Sequence, residues 1–166
     1  DPVSILIDNA SLASQAVGPP NNDVEMSWSG REFRELARKM FSLRPLAQQD
    51  ISNNDSVLGT YADGSGKGLK AANSYASFIR TAFKPEWWNS TKTTADGYTH
   101  MEANFSLFWG LSIMLYESTL VSGDTPFDRY RKGDDGALSE SAKRGLQIFL
   151  NEGKCINCHH GPEFAG

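Results

Sequence analysis

The sequence predicts a mainly α fold, because apolar residues recur at helical spacing and no stretch shows the strict alternation of a half-buried strand. The clearest helix follows Ser29, which is expected to form a capping box with Glu32. Pro45 closes this segment, since proline cannot continue a helix. Five apolar residues between these limits share one helical face: Phe33, Leu36, Ala37, Met40 and Phe41.

The same spacing predicts four more helices, separated by polar loops at 48–68 and 89–98. The most apolar one contains a run of about a dozen residues, well short of the roughly 20 that a membrane span needs. We therefore expect no membrane span. The predicted helices lie within the first 17 residues, from Tyr75 to Phe83, from Met101 to Val121, and from a Ser139 cap to a stop at Gly153.

Composition and charge restrict the partners that this chain is expected to bind. Its 39% hydrophobic and 22% charged residues are typical of a globular domain. A net charge of -4 without a basic run argues against binding nucleic acid or an anionic membrane surface. The sequence has no initiating Met and no signal-like segment, so we expect mature or internal sequence.

The stretch Cys155-Ile156-Asn157-Cys158-His159 has the spacing that attaches a c-type haem. The two thiols form thioethers with the haem vinyl groups, and the adjacent imidazole binds the iron from the proximal side. A structural zinc site is a competing reading, but the usual second pair of ligands is missing. A redox dithiol would follow a strand, whereas this motif follows a predicted helix. Because bacteria attach c-type haem outside the cytoplasm, the motif also predicts a periplasmic or other extracytoplasmic location.

The residues before the motif carry a resemblance to a known family. In order they are Tyr116-Glu-Ser-Thr-Leu-Val121, Thr125-Pro-Phe-Asp-Arg-Tyr130, Lys132-Gly-Asp134, Ala137-Leu-Ser139 and Arg144-Gly-Leu-Gln-Ile-Phe149. Together with the haem motif, this run resembles the approach to the second haem of bacterial dihaem cytochrome c peroxidases, the family that includes MauG. The earlier stretches 9–20 and 42–46 resemble the connecting region of longer family members.

The resemblance implies an incomplete, c-type cytochrome-like helical piece of a larger dihaem protein. Residues 1–100 would be a helical connecting region with long surface loops, and residues 101–166 the start of the second cytochrome c domain. The peroxidatic haem would lie on an absent N-terminal segment. The distal ligand of the second haem would come from an absent C-terminal segment. This chain alone is therefore not expected to turn over peroxide.

The function implied for the whole protein is reduction of hydrogen peroxide to water, with electrons from a small cytochrome or cupredoxin. This chain would contribute the electron-transfer haem. Two alternatives remain open: a MauG-like oxidase or oxygenase acting on an organic or protein substrate, and a non-catalytic electron carrier. The resemblance also implies calcium between the haems, with a possible ligand in 125–128.

Other side chains near the motif have ordinary structural explanations as well as functional ones. Glu117 matches an acidic position of the family, where a carboxylate either assists proton transfer or stabilises the following turn. Asp128 and Arg129 are expected to make a buried or capping ion pair at that turn. His160 cannot bind the same iron from the opposite face. We also predict that the other candidate ligands, His100, Met101 and Met114, do not coordinate the iron.

Overall fold

A computed structural model of the protein describes residues 3–161 and Phe164, and it confirms the predicted mainly α fold. No strand forms within these residues, and three isolated bridges are their only β pairing. The helices are α1 (Ser11–Val17), α2 (Phe33–Phe41), α3 (Tyr75–Ala82), α4 (His100–Ala103), α5 (Phe105–Glu117), α6 (Pro126–Arg131) and α7 (Glu140–Leu150). Short 3₁₀ turns lie at Pro19–Asn21, Gly59–Tyr61, Pro85–Trp87, Asp135–Ala137 and Cys155–Asn157.

The chain forms two compact units, Asp1–Thr119 and Leu120–Gly166. The first unit contains α1 to α5, and the second contains α6, α7 and the haem motif. The boundary predicted between residues 100 and 101 separates a connecting region from a cytochrome c domain. That domain division stays a prediction. None of the helices in the described ranges has both the length and the apolar character that a membrane crossing requires.

The first unit has two hydrophobic clusters. The larger one joins α2, α3, α4 and α5, and its aromatic rings pack in tilted and edge-to-face pairs, such as the edge-to-face pair of Phe41 and Phe105 at 5.4 Å between centroids. The smaller one lies beneath the 48–68 loop, whose polar sequence predicted only a surface segment. The buried members are Ala37, Ile79, Met101, Phe105 and Phe108 in the larger cluster, and Ile51, Ala62 and Leu69 in the smaller.

Two predicted helix boundaries were wrong. The capping box of α2 joins Glu32 to Glu35 rather than Ser29 to Glu32, because Gly30 has a φ of 82° and breaks any helical turn there. The segment predicted as one helix from Met101 to Val121 is broken at Asn104 and ends at Glu117. The Asn104 amide donates to the carbonyl oxygen of Trp87 at 2.7 Å, a contact distant in sequence.

In the second unit, the predicted Ser139 cap of α7 is confirmed, since its hydroxyl accepts from the backbone N–H of Ala142 at 3.2 Å. The predicted pairing of Asp128 with Arg129 is wrong. Asp128 instead accepts from the backbone N–H and the hydroxyl of Thr125, the N-cap of α6, and completes its capping box. Arg129 reaches back to Asp124, because its side chain points toward the residues that precede the helix.

Candidate haem-attachment site

A tight turn at the end of α7 leads the chain into the motif. The backbone N–H of Gly153 donates to the carbonyl oxygen of Ile148 at 2.8 Å. A Cβ atom at position 153 would lie 2.8 Å from that oxygen, so a side chain does not fit without a backbone shift. Lys154 follows with a φ of 53°, in the left-handed region that non-glycine residues rarely adopt. The close approach of Gly153 to Ile148 therefore determines the direction in which the chain runs from α7 to Cys155.

The motif itself forms one helical turn. The carbonyl oxygen of Cys155 accepts from the backbone N–H of Cys158 at 3.1 Å and of His159 at 2.8 Å. Residues three and four apart are neighbours on such a turn, so Cys158 and His159 each lie next to Cys155 along it. Among the described residues, both cysteines are free thiols and both are exposed. The motif thus presents two accessible thiols beside one imidazole.

A backbone carbonyl determines the tautomer of His159. Its Nδ1 lies 3.2 Å from the carbonyl oxygen of Phe164. A carbonyl oxygen only accepts, so Nδ1 carries the proton and donates it. In the neutral ring this contact leaves Nε2 as the nitrogen without a proton, and an unprotonated ring nitrogen is what binds a metal ion. A metal-ligating histidine commonly has such a partner on its other ring nitrogen.

The ring of Phe164, the residue that supplies this carbonyl, packs against two other phenylalanine rings, and we call Phe127, Phe149 and Phe164 the phenylalanine cluster. The Phe164 ring lies 4.9 Å from the Phe127 ring and 5.1 Å from the Phe149 ring, both edge to face. Phe149 also lies 6.5 Å from the His159 ring. Phe164 has a φ of 55°, a conformation that costs a non-glycine residue about 1–3 kcal/mol.

An apolar hollow of about 240 Å³ lies beside the cluster, lined by Gly145, Leu146, Phe149 and Phe164. Two accessible thiols, an unprotonated imidazole nitrogen and an apolar wall are the groups that a c-type haem requires, so these residues fit the group. Within residues 3–161 and 164, no three or more His, Cys, Asp or Glu side chains gather into a metal site.

Four other candidate residues belong to the first unit. Glu117 ends α5 in the first unit, and its Oε2 is buried without a hydrogen-bond partner in the described part of the chain. Its catalytic role stays a prediction. Met101 is buried in the larger core cluster, as expected, and Met114 is half-buried on α5. The Nε2 atom of His100 accepts from Asn104 at 3.1 Å.

Residues 125–128, where the resemblance implies a calcium ligand, contain the capping box of α6 formed by Thr125 and Asp128. The hydrogen bonds from the hydroxyl and backbone N–H of Thr125 lower the pKa of Asp128 below its ordinary value, because they stabilise the charged form. His160, next to the proximal ligand, is exposed.

Sequence reasoning did not identify the phenylalanine cluster. In the sequence, Phe127 and Phe149 stand out only as members of the stretches 125–130 and 144–149 that resemble the family. Phe164 follows His159 by five residues, and no periodicity marks it as a partner of that histidine. The position of an aromatic residue shortly after the motif was the one available signal.

Comparison with known proteins identifies the family. The cytochrome c peroxidase Ccp of Escherichia coli (strain K12) is 42% identical to this chain over 157 residues, which cover 95% of this chain and 23% of that protein. This match supports the dihaem cytochrome c peroxidase/MauG family for the chain. A second family member, the cytochrome c551 peroxidase of Pseudomonas aeruginosa, is 50% identical over 56 residues, covering 34% of this chain and 16% of that protein.

A third member of the cytochrome c peroxidase/MauG family has a different name. The methylamine utilization protein MauG of Methylorubrum extorquens is 36% identical over 91 residues, covering 55% of this chain and 22% of that protein. The chain therefore spans less than a quarter of the length of these relatives. Their names imply haem c as the cofactor of the family. No family model and no solved structure matches the chain.

Proposed function

We propose that this chain holds the electron-transfer haem of a dihaem cytochrome c peroxidase, with Cys155 and Cys158 as thioether attachment points and His159 as proximal ligand. The observation that carries the proposal is the single helical turn that joins Cys155 to Cys158 and His159 through backbone hydrogen bonds and leaves both thiols exposed. The Nδ1 contact of His159 with the Phe164 carbonyl supports it, because this contact leaves Nε2 free to bind iron. When bound, the haem supplies one-electron redox chemistry.

The residues of the chain have distinct roles in this proposal. Each cysteine sulfur bonds to one carbon of a vinyl group and its hydrogen passes to the other carbon, so attachment consumes no oxidant. The Gly153 turn sets the position of Cys155 relative to α7. The hollow beside Phe149 provides an apolar wall, which excludes water from one part of the site.

For the protein that contains this chain, we propose reduction of hydrogen peroxide to two waters, consuming two electrons and two protons. A small cytochrome or cupredoxin would supply the electrons, in the periplasm or another extracytoplasmic compartment. The peroxidatic haem, the distal ligand of the present haem and a calcium ion belong to the same proposal. The support is the similarity to proteins named as cytochrome c peroxidases.

Expression of the full reading frame in a bacterium with c-type haem maturation tests the attachment. Mass spectrometry of the peptide containing Cys155 and Cys158 should find the haem mass under denaturing conditions. Cys155→Ala and Cys158→Ala should each leave at most one thioether and weaken retention. A pigment that acid acetone extracts from the unmodified protein would contradict the proposal.

Two adjacent histidines provide a matched pair for the iron ligand. His159→Ala should change the optical spectrum of the haem, because it removes the proximal nitrogen. His160→Ala is the control and should leave that spectrum as in the unmodified protein. If both variants retain the same spectrum, the assignment of His159 is wrong.

A MauG-like oxidase is the second candidate, and the similarity to a MauG protein over 55% of this chain favours it. The two functions differ in what is consumed and formed. A peroxidase oxidises a reduced donor protein in step with peroxide loss. A MauG-like enzyme modifies an organic or protein substrate, which mass spectrometry detects. A holoprotein that does neither is an electron carrier.

A further inference from the structure

The contact between His159 and Phe164 depends on a backbone conformation that the local sequence does not favour. Phe164 has a φ of 55°, in a region that glycine, asparagine and aspartate adopt far more readily than phenylalanine. Such a conformation persists only where surrounding structure holds it. The two rings that contact Phe164 come from distant positions, Phe127 on α6 and Phe149 on α7.

We infer that the phenylalanine cluster is a positioning device that holds the Phe164 carbonyl oxygen against the Nδ1–H of His159. The cluster thereby determines the tautomer, the ring orientation and the electron donation of the proximal ligand. This inference rests on the proposed function, which supplies the iron that His159 binds. Phe127, Phe149 and Phe164 act through His159 and are positioning residues.

The electronic consequence follows from the hydrogen bond. Donation from Nδ1–H to a carbonyl oxygen makes the ligating nitrogen more basic. A more basic ligand stabilises ferric over ferrous iron, so the contact keeps the reduction potential lower than an unpartnered imidazole would. Loss of the Phe127 ring leaves Phe164 with one aromatic neighbour from the cluster. The Phe164 backbone then relaxes toward negative φ, and its carbonyl turns away from His159.

The geometry of the site agrees with a role directed at the imidazole. Phe149 contacts both Phe164 and the His159 ring, at centroid distances of 5.1 and 6.5 Å. It therefore packs against the donor and against the residue that supplies the acceptor. The same two residues, Phe149 and Phe164, also line the apolar hollow. One cluster thus orients the ligand and forms part of the wall beside it.

The test compares two aromatic-to-leucine substitutions on α6, Phe127→Leu and Tyr130→Leu, in the full-length holoprotein. Phe127→Leu removes a cluster ring. Tyr130→Leu is the matched control, since Tyr130 lies three residues along the same helix and packs with Lys143 instead. For Phe127→Leu we expect the reduction equilibrium of this haem to shift toward the ferrous form by about threefold or more. That shift corresponds to ~28 mV, at 59 mV per tenfold change of a one-electron couple.

Two further measurements separate positioning from a general loss of packing. The Nδ1 proton of His159, followed by NMR, should exchange with solvent faster in Phe127→Leu than in Tyr130→Leu. Phe127→Tyr, which keeps the ring, should restore both the potential and the exchange rate. If Phe127→Leu does not accumulate, Phe164→Leu replaces it, because this change also removes ring contacts and retains the backbone carbonyl.

The outcomes distinguish the inference from the proposed function. If haem is covalently attached and His159 ligates it, while Phe127→Leu leaves potential and proton exchange unchanged, the inference alone is wrong. An equal shift in Phe127→Leu and Tyr130→Leu also overturns it, since that result reports loosened packing. If the unmodified protein carries no covalent haem, the proposed function itself is wrong.

Discussion

Gly110→Ala should destabilise the first unit, although alanine is the better helix former. Gly110 lies within α5, where α1 crosses closely. A Cβ atom at this position would lie 2.9 Å from the backbone carbonyl oxygen of Ala13 and 3.2 Å from a methyl carbon of Val17. Backbone atoms cannot rotate away, so α1 has to move.

Two opposing terms set the expected magnitude. Replacing glycine by alanine inside a helix stabilises it by about 1 kcal/mol. Overpacking a close contact costs about 1–3 kcal/mol, and the middle of that range is about 2 kcal/mol. The net effect is a loss of about 1 kcal/mol, or roughly a fivefold increase in local opening. Displacement of α1 should also strain the hydrogen bond that Trp109 Nε1–H donates to the carbonyl oxygen of Ala16, with a donor–acceptor distance of 3.0 Å.

Amide hydrogen exchange on the full-length protein measures this local opening. Gly110→Ala should speed exchange of the α1 amides by about fivefold. Ser112→Ala is the control, because Ser112 is exposed on the same helix and the change has only the propensity gain of about 0.5 kcal/mol. If Gly110→Ala slows exchange in α1 and α5, as Ser112→Ala should in α5, the reasoning from the helix crossing is refuted.

Three other changes have defined outcomes. Hydrogen bonds from Arg38 lower the pKa of the buried Glu102 carboxyl in the folded protein, so the unfolded state binds more protons. The stability that this carboxylate contributes is present above its unfolded pKa and is lost as the pH falls through its folded pKa. Glu102→Gln should therefore flatten the acid dependence of stability, measured by a fluorescence titration. Phe108→Ala should cost about 3–5 kcal/mol in denaturant unfolding, because Phe108 is 2% exposed, and a cost below about 1 kcal/mol would contradict its place in the core. Gly68→Ala should destabilise the 48–68 loop and speed its amide exchange. The φ of Gly68 is 70°, and a Cβ atom there would lie 2.9 Å from Arg44 Nε. Unchanged amide exchange in this loop would contradict that geometry.

Local patterns predicted which segments form helices, and neighbouring or distant contacts decided where those helices end. The period of apolar residues in α2 and α3 depends only on residues within each segment, so sequence reasoning located both. The start of α2 depends on whether Glu32 or Ser29 caps it, and Gly30 decides between them through its φ of 82°. The break at Asn104 depends on the Trp87 carbonyl, a contact that arises only when the chain folds.

The haem motif could be read from five residues because its chemistry is local. One helical turn joins Cys155 to Cys158 and His159 through backbone hydrogen bonds. Their assignment as haem-binding residues remains a prediction, as does the catalytic role of Glu117. The similarity to the E. coli peroxidase supports the family, since it extends over 95% of this chain.

The sequence by itself determined the helical class, the spacing of the motif and the resemblance to dihaem peroxidases, since each depends on residues that are near one another or read in order. Only the tertiary structure brought Phe127 and Phe149 to Phe164 and directed the Phe164 carbonyl to His159. Rings separated by up to 37 positions meet there because α6, α7 and the motif pack into one unit. Contacts of that kind leave no periodic signal in a single sequence, because the intervening chain, rather than the spacing of the residues, determines which side chains meet.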